Sequence, residues 1–562
     1  MKFSELPYER VNMEETVKKA EALTEAFQNS TTFEEQLELI KEMDALQNDI
    51  YSMINLAYIR YTINTGDAFY ASEREYNDSN SPLLHTAFQK FEKAMAESVF
   101  RERLIEEIGE LAFDKIDFSL KSFKPELTEL LQEESRLKSQ YQKLMGSAEI
   151  PFHGEILNIS QIGKYQQSND RTVRKEAFEA LGQFYDSIHK ELDKIFDLMV
   201  KNRTKQAKML GYDSFVELAY LRQERCYDKE AVQNFRRQVV EELVPVVTTL
   251  KEQQTKRIGV EKLFYYDDGC KFADGNPTPK GTASDLLAAG RKMYTEMSPI
   301  TKEFIDFMFE NDLFDVIAKP GKTTGGYCHS IPKYKMPFIF SNFNGTSGDV
   351  EVLTHEAGHA LAYYRAVREL PFQMSHDPTM EACEIHSMSM EFFAEPWYPL
   401  FFQEETAKYA YAHLEGTLSF IPYGCMVDHF QEIIYSNPDM TPSERNNTWL
   451  KLEQIYRPYL DTTGLPFYSE GAVWQRQLHI YTSPFYYIDY CLAQTVALQF
   501  FMEIQNDWDS AWEKYNAFLA QGGKKNFLNL LKDANLMSPM ENGCLKMIAQ
   551  AARKWLEEHP LD

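Results

Sequence analysis

Three scarcities frame this 562-residue chain. Cysteine is sparse, with seven residues (Cys226, Cys270, Cys328, Cys383, Cys425, Cys491 and Cys544) and no Cys-x-x-Cys pair among them. An odd, scattered set excludes a disulfide-stapled scaffold and a thiolate zinc ribbon, and it fits reduced thiols in a cytoplasmic protein. Long apolar runs are missing too: no stretch reaches the roughly 18 residues that a membrane helix needs. The N-terminus, Met1-Lys2-Phe3-Ser4-Glu5, turns acidic before any apolar segment of signal-peptide length. The expectation is a soluble, unexported protein without a membrane partner. Basic charge is short as well, since 59 Lys and Arg face 85 Asp and Glu, a net charge of −26. Such a balance repels phosphate backbones and excludes nucleic acid as an electrostatic partner.

What is present is helix-forming. Hydrophobic residues make up 44% of the chain, enough for a large core and too much for a disordered polymer. From Leu39 through Met43, Leu46, Ile50, Met53 and Ala57, apolar residues recur every three or four positions, the period of a core-facing helix. Thr32 with Glu35 forms a capping box before that run, and Gly66 sits where it stops. Similar patterns recur around 14–30, 69–112, 124–145, 170–210, 228–258, 283–313 and across much of 378–557.

Two stretches break the helical rule. Residues 149–157 set Pro151 and Gly154 among apolar residues, as in a short hairpin. Residues 314–345 carry Gly321, Gly325 and Gly326 and then Phe338-Ile339-Phe340-Ser341-Asn342-Phe343-Asn344-Gly345, a strand followed by a turn. Residues 265–284, rich in Gly, Asp, Pro and Lys, read as a surface loop. The predicted fold is mainly α, with a small sheet beside the helix that follows it. An N-terminal helical part over 1–200 and a catalytic helical part over 201–562, holding the sheet near 314–345, are expected to form one continuous structural unit.

That following helix carries the chemistry. In Thr354-His355-Glu356-Ala357-Gly358-His359-Ala360, two histidines four residues apart share one helix face and converge on one point. Neutral imidazoles suit one Zn²⁺ ion, while Glu356 is placed to act as general base on a water rather than as a ligand. With only 12 histidines in the chain, chance spacing is a poor explanation. A catalytic zinc needs a third protein ligand and an open position. The pattern with a downstream third histidine fails, because Ala362 and Arg365 occupy its last two defining positions. A second helix beginning near Pro378 offers Glu381, Glu384 and His386, and spacing alone does not choose among them.

The motif run and the later Glu384-x-x-Ser387-Met388-x-x-Glu391 together resemble the thimet oligopeptidase and oligoendopeptidase F family, with the oligoendopeptidase F and Pz-peptidase branch the nearer. In that family the third zinc ligand lies 25 residues after the second motif histidine, which falls on Glu384. The resemblance implies a large, elongated helical peptidase with a deep channel that admits short unstructured peptides. The function so implied is zinc-dependent endopeptidase cleavage of oligopeptides. A dipeptidyl carboxypeptidase-type enzyme is the alternative within hydrolases, and a non-catalytic peptide- or metal-binding protein the alternative outside them.

A tetrahedral intermediate also needs a donor for its oxyanion. The run from His479 to Cys491 is the densest cluster of tyrosine and histidine, and it resembles the segment that the family uses for this purpose. Tyr490 and His479 are the first candidates. The spacing departs from the family, which keeps Tyr481, Tyr486 and Tyr487 open, the last two also as substrate-binding groups. The strand before the motif helix is expected to pair its edge with an extended peptide, through Phe340, Asn342, Asn344 and Gly345.

Overall fold

The computed structural model describes residues 1–561 and is dominated by helices. The periodic stretch around Leu39 to Ala57 lies in the helix Phe33–Ile63, whose start is set by the capping box. The Glu35 N–H donates to Thr32 Oγ1 at 3.3 Å, and the Thr32 N–H donates to the Glu35 carboxylate at 3.2 Å. This helix packs with Met13–Asn29 and Ala68–Ala96 around a core that includes Phe27, Ile40, Met43, Phe88 and Phe91.

The described chain divides into two units, each assembled from three segments. The first comprises Met1–Leu120, Thr278–Thr406 and Ala497–Leu536; the second comprises Lys121–Pro277, Ala407–Val496 and the residues from Met537 onward. Residue 200, the expected end of an N-terminal part, falls inside the helix Arg171–Leu210 of the second unit. A single buried face, including Leu192, Ile195, Phe196, Met199 and Val200, runs through that point, so the chain has no break there. In the second unit, Phe196, Phe430, Trp449, Trp474 and Tyr481 are buried together, and fully buried Arg203 bonds to Glu134 and Tyr435. No helix among the described residues is long and apolar enough to cross a membrane.

The strands lie where glycine and proline interrupt the helical period. Strand β1 (Ile150–Phe152) pairs antiparallel with β2 (Glu155–Leu157). Their two-residue turn has φ of 48° at His153 and 87° at Gly154, the positive pair that a tight hairpin demands. Strands β3 (Phe314–Ile317), β4 (Tyr327–Ile331) and β5 (Met336–Phe343) form a sheet of order β3-β5-β4. Strand β5 runs parallel to β3 and antiparallel to β4. Phe338, Ile339 and Phe340 are all buried, which explains a continuous rather than alternating apolar run.

The central place of β5 corrects one expectation. Phe340 is in register with Tyr327 on one side and Asp315 on the other, so β5 has no free edge there for a peptide. The edge strands are β3 and β4, and β4 is also packed against the motif helix.

Candidate metal centre

The motif helix, Gly348–Glu369, begins directly after β5. Buried Asp349 fixes the turn by accepting the main-chain N–H of Asn344 at 2.9 Å and of Gly345 at 2.7 Å. One turn separates His355 from His359, and their rings lie 5.0 Å apart at 83°. Glu384 comes from the helix Met380–Phe393 and places Oε2 3.3 Å from His355 Nε2 and 3.6 Å from His359 Nε2. One ligand atom from each of the three residues lies within 4.8 Å of the others. Of the three carboxyl and imidazole candidates on the second helix, Glu384 alone joins the histidines among the described residues. His386 instead sits edge-on to Phe518 at 5.5 Å, and burial pushes its pKa down to about 3.

A glycine brings the two helices together. A Cβ on Gly358 would stand 2.6 Å from the His386 carbonyl oxygen and 2.7 Å from Ser387 Cα, so any side chain there would push the helices apart. The His386 carbonyl also accepts from the Tyr515 hydroxyl at 2.6 Å. Around the three side chains, Ser387 Oγ lies 3.2 Å from Glu384 Oε2, and Glu391 Oε1 lies 2.8 Å from His355 Nδ1. The second contact orients the imidazole so that Nε2 is left for a ligand.

Burial opposes a charge on His355, yet hydrogen bonds to Glu384 and Glu391 outweigh it and hold the imidazole pKa well above its usual value. His359 goes the other way, to about 4, through burial reinforced by the charge on His355 and only partly offset by Glu384. Burial lifts Glu356 to about 7, with Glu384 and Glu391 adding and His355 and the Cys328 N–H opposing. Two imidazoles and one carboxylate are the donor set of a three-ligand catalytic zinc, and a divalent cation would replace the proton that the carboxylates favour on His355. The residues present fit that ion.

The second unit gathers the aromatic candidates. His479 lies 4.9 Å from Tyr487, 5.8 Å from Tyr486 and 6.0 Å from Tyr490, ring to ring, and all four are half-buried. Gln477 Nε2 is 2.9 Å from His479 Nδ1. Tyr481 is apart from this group: it is fully buried, stacks on Tyr141 at 4.0 Å and directs its hydroxyl to the Leu192 carbonyl. The turn between the two halves of the cluster passes through Phe485 at φ 66°. Buried Arg225 holds that turn by donating to the Phe485 carbonyl and to Asp489 Oδ1, and Gln431 Oε1 accepts the Phe485 N–H at 3.0 Å.

The profile of the peptidase M3 N-terminal domain matches residues 3–123, and that of peptidase family M3 matches residues 164–271 and 291–549. The chain belongs to peptidase family M3. Among solved structures, Pz peptidase A with inhibitor superposes with a TM-score of 0.94 at 45% identity, over 99% of both chains. An oligoendopeptidase F homolog of Borreliella burgdorferi is 24% identical over 69% of this chain and 67% of its own length. Oligopeptidase PepF of Bacillus subtilis is 22% identical over 70% of this chain, which spans 58% of that relative's length.

In this M3 peptidase, the four residues expected to bind peptide along β5 do other things. Phe340 is fully buried and stacks on Tyr327 at 4.7 Å. Asn342 Nδ2 donates to the carbonyls of Thr323 (2.8 Å) and Gly325 (2.9 Å), while Asn344 and Gly345 give their N–H groups to Asp349. The group that sequence reasoning missed lies one strand over. The main chain of β4 at Cys328 is near enough to Glu356 to oppose the rise of its pKa, and a Cβ on Gly326 would stand 3.7 Å from Glu356 Oε1. Its sequence signal was present in the pair Gly325-Gly326, which permits a close main-chain approach.

Proposed function

We propose that this M3 peptidase is a zinc-dependent endopeptidase that cleaves short, unstructured oligopeptides at internal bonds. The carrying observation is the convergence of His355, His359 and Glu384 within 4.8 Å, with Glu356 on the same helix and outside that set. A zinc ion held there would polarise the scissile carbonyl and make a coordinated water acidic near neutral pH. Glu356 takes the proton of the attacking water and delivers it to the leaving amine, as a buried carboxylate of raised pKa can do. Glu391 keeps His355 in the tautomer that presents Nε2. Tyr490 or His479 donates to the developing oxyanion, a role supported by family membership and by the half-buried cluster the two share with Tyr486 and Tyr487.

Peptide binding is assigned to the edge strand β4 rather than to β5, and to its Tyr327 end, because an edge offers main-chain groups to an extended chain whatever its side chains, and the Ser330 carbonyl is already taken by Asn55 Nδ2 at 2.8 Å. We place the enzyme in the cytoplasm, consistent with seven cysteines none of which forms a disulfide.

The test is mass spectrometry of products from peptides of graded length, with free and amidated C-termini, with and without a chelator. Internal cleavage of both peptide types, abolished by chelation and restored by zinc, is the expected result. Cleavage that persists in chelator sinks the zinc mechanism. Release of dipeptides only, and only from free C-termini, would instead assign a dipeptidyl carboxypeptidase.

A further inference from the structure

In the loop joining β3 to β4, residues 318–326, one lysine reaches both flanking strands. The Lys322 side chain is fully buried, a condition that an ammonium tolerates only when its donors are met. Its Nζ lies 2.7 Å from Asp315 Oδ1 and donates to the main-chain oxygens of Asp315 (2.8 Å), Ile317 (3.1 Å) and Ser341. It also stands 4.4 Å from the centre of the Phe340 ring. Asp315 and Ile317 belong to β3, and Phe340 and Ser341 to β5, so one side chain fastens the loop to both strands.

Three lighter ties act on the same loop, the first being the Gly321 carbonyl, which accepts from the Thr65 N–H at 2.7 Å and from Thr65 Oγ1 at 2.8 Å. Asn342 Nδ2 donates to the carbonyls of Thr323 and Gly325, and the Thr323 N–H donates to the Thr62 carbonyl at 2.9 Å. Beyond these ties the chain is exposed at Gly325 and Gly326 just where it passes Glu356 and enters β4. A buried ion pair of this kind is better suited to specifying one conformation than to adding stability. Here the conformation specified is that of main chain lying beside the general base.

We propose that Lys322 is a positioning residue for substrate: its ammonium sets the course of the 318–326 loop and thereby holds the exposed Gly325-Gly326 main chain and the edge of β4 ready for an extended peptide. This rests on the reading of β4 as the peptide-binding edge. Lys322 itself touches neither peptide nor metal. Because the loop is ordered before binding, the peptide loses less affinity to ordering cost. Loosening the loop therefore weakens binding of substrate and transition state alike and appears in KM rather than in kcat.

The experiment uses full-length enzyme loaded with zinc and compares wild type with Lys322→Met and Asn342→Ala. Zinc content, kcat and KM on one internally cleaved peptide, and hydrogen exchange over 318–331 are measured. Expected for Lys322→Met are unchanged zinc, kcat within about twofold, KM raised about tenfold and faster loop exchange. Asn342→Ala should move the same two readouts by less, and it carries the test if Lys322→Met does not fold. The proposal is overturned if loop exchange is unchanged, or if it quickens while KM stays put or kcat falls in step. Failure of the peptidase reading shows separately, as a wild type without cleavage or a Glu356→Gln variant that keeps it, and loop exchange in the variants still reports on the tie.

Discussion

The candidate metal group of the first unit and the aromatic group of the second are built in opposite ways. The first uses two helices. His355 and His359 are neighbours by helical period, and Glu384, Ser387 and Glu391 repeat that economy on the partner helix. The second spans two helices and a turn: His479 sits on Leu478–Thr482 and Tyr490 on Tyr487–Asn506. Its turn takes φ 66° at Phe485 because Arg225 and Gln431, far away in the chain, bond to that residue's main chain. Short-range periodicity specifies the one, and buried long-range polar contacts specify the other.

Four tests, using six substitutions, probe that contrast, from the largest effect to the smallest. Glu356→Gln removes the base without touching the three converging side chains, so kcat/KM should fall about 10²- to 10⁴-fold with zinc still bound, as read by steady-state kinetics and metal analysis. Retained turnover would dissolve the functional reading of the first group. Arg225→Met leaves Asp489 buried without its cation and should cost about 3–5 kcal/mol of local stability. Hydrogen exchange should quicken around 478–490 while zinc affinity stays unchanged; a change in zinc affinity would mean that the two groups are not independently specified.

Glu384→Ala should weaken zinc by more than the roughly 10- to 100-fold expected for Glu391→Ala, which removes only the partner of an imidazole; chelator competition ranks the two. Equal losses would demote Glu384 from ligand to support. Tyr490→Phe should lower kcat about 10²-fold if its hydroxyl meets the oxyanion, whereas Tyr481→Phe, whose hydroxyl faces Leu192, should leave kcat unchanged. The reverse ranking would move the donor to the residue that packing excludes.

Legibility followed the same divide. The Thr32–Glu35 cap, the hairpin at 150–157 and the two-histidine spacing were readable because each is decided within a few residues. Glu384 was singled out from its neighbours only through family spacing. The residues of the second helix leave Glu381, Glu384 and His386 equivalent until Gly358 sets how closely the two helices approach. The run Phe338–Phe343 announced a strand but not its neighbours, and a strand's place in a sheet depends on segments elsewhere in the chain. Asn342 looked like a group for substrate and is a tie for the glycine loop, because its amide meets carbonyls 17 and 19 residues away in sequence.

The sequence by itself determined a helical protein and the pair His355 and His359 on one helix face with Glu356 between them, since a helical repeat of 3.6 residues converts spacing into direction without outside help. Tertiary structure brought Glu384, which only family spacing had singled out, beside the two histidines, and it alone decided that β4 rather than β5 is the edge beside Glu356 and that Tyr481 is core while Tyr490 is not. Those choices depend on which surfaces meet, and contacts between distant segments have no local period to betray them.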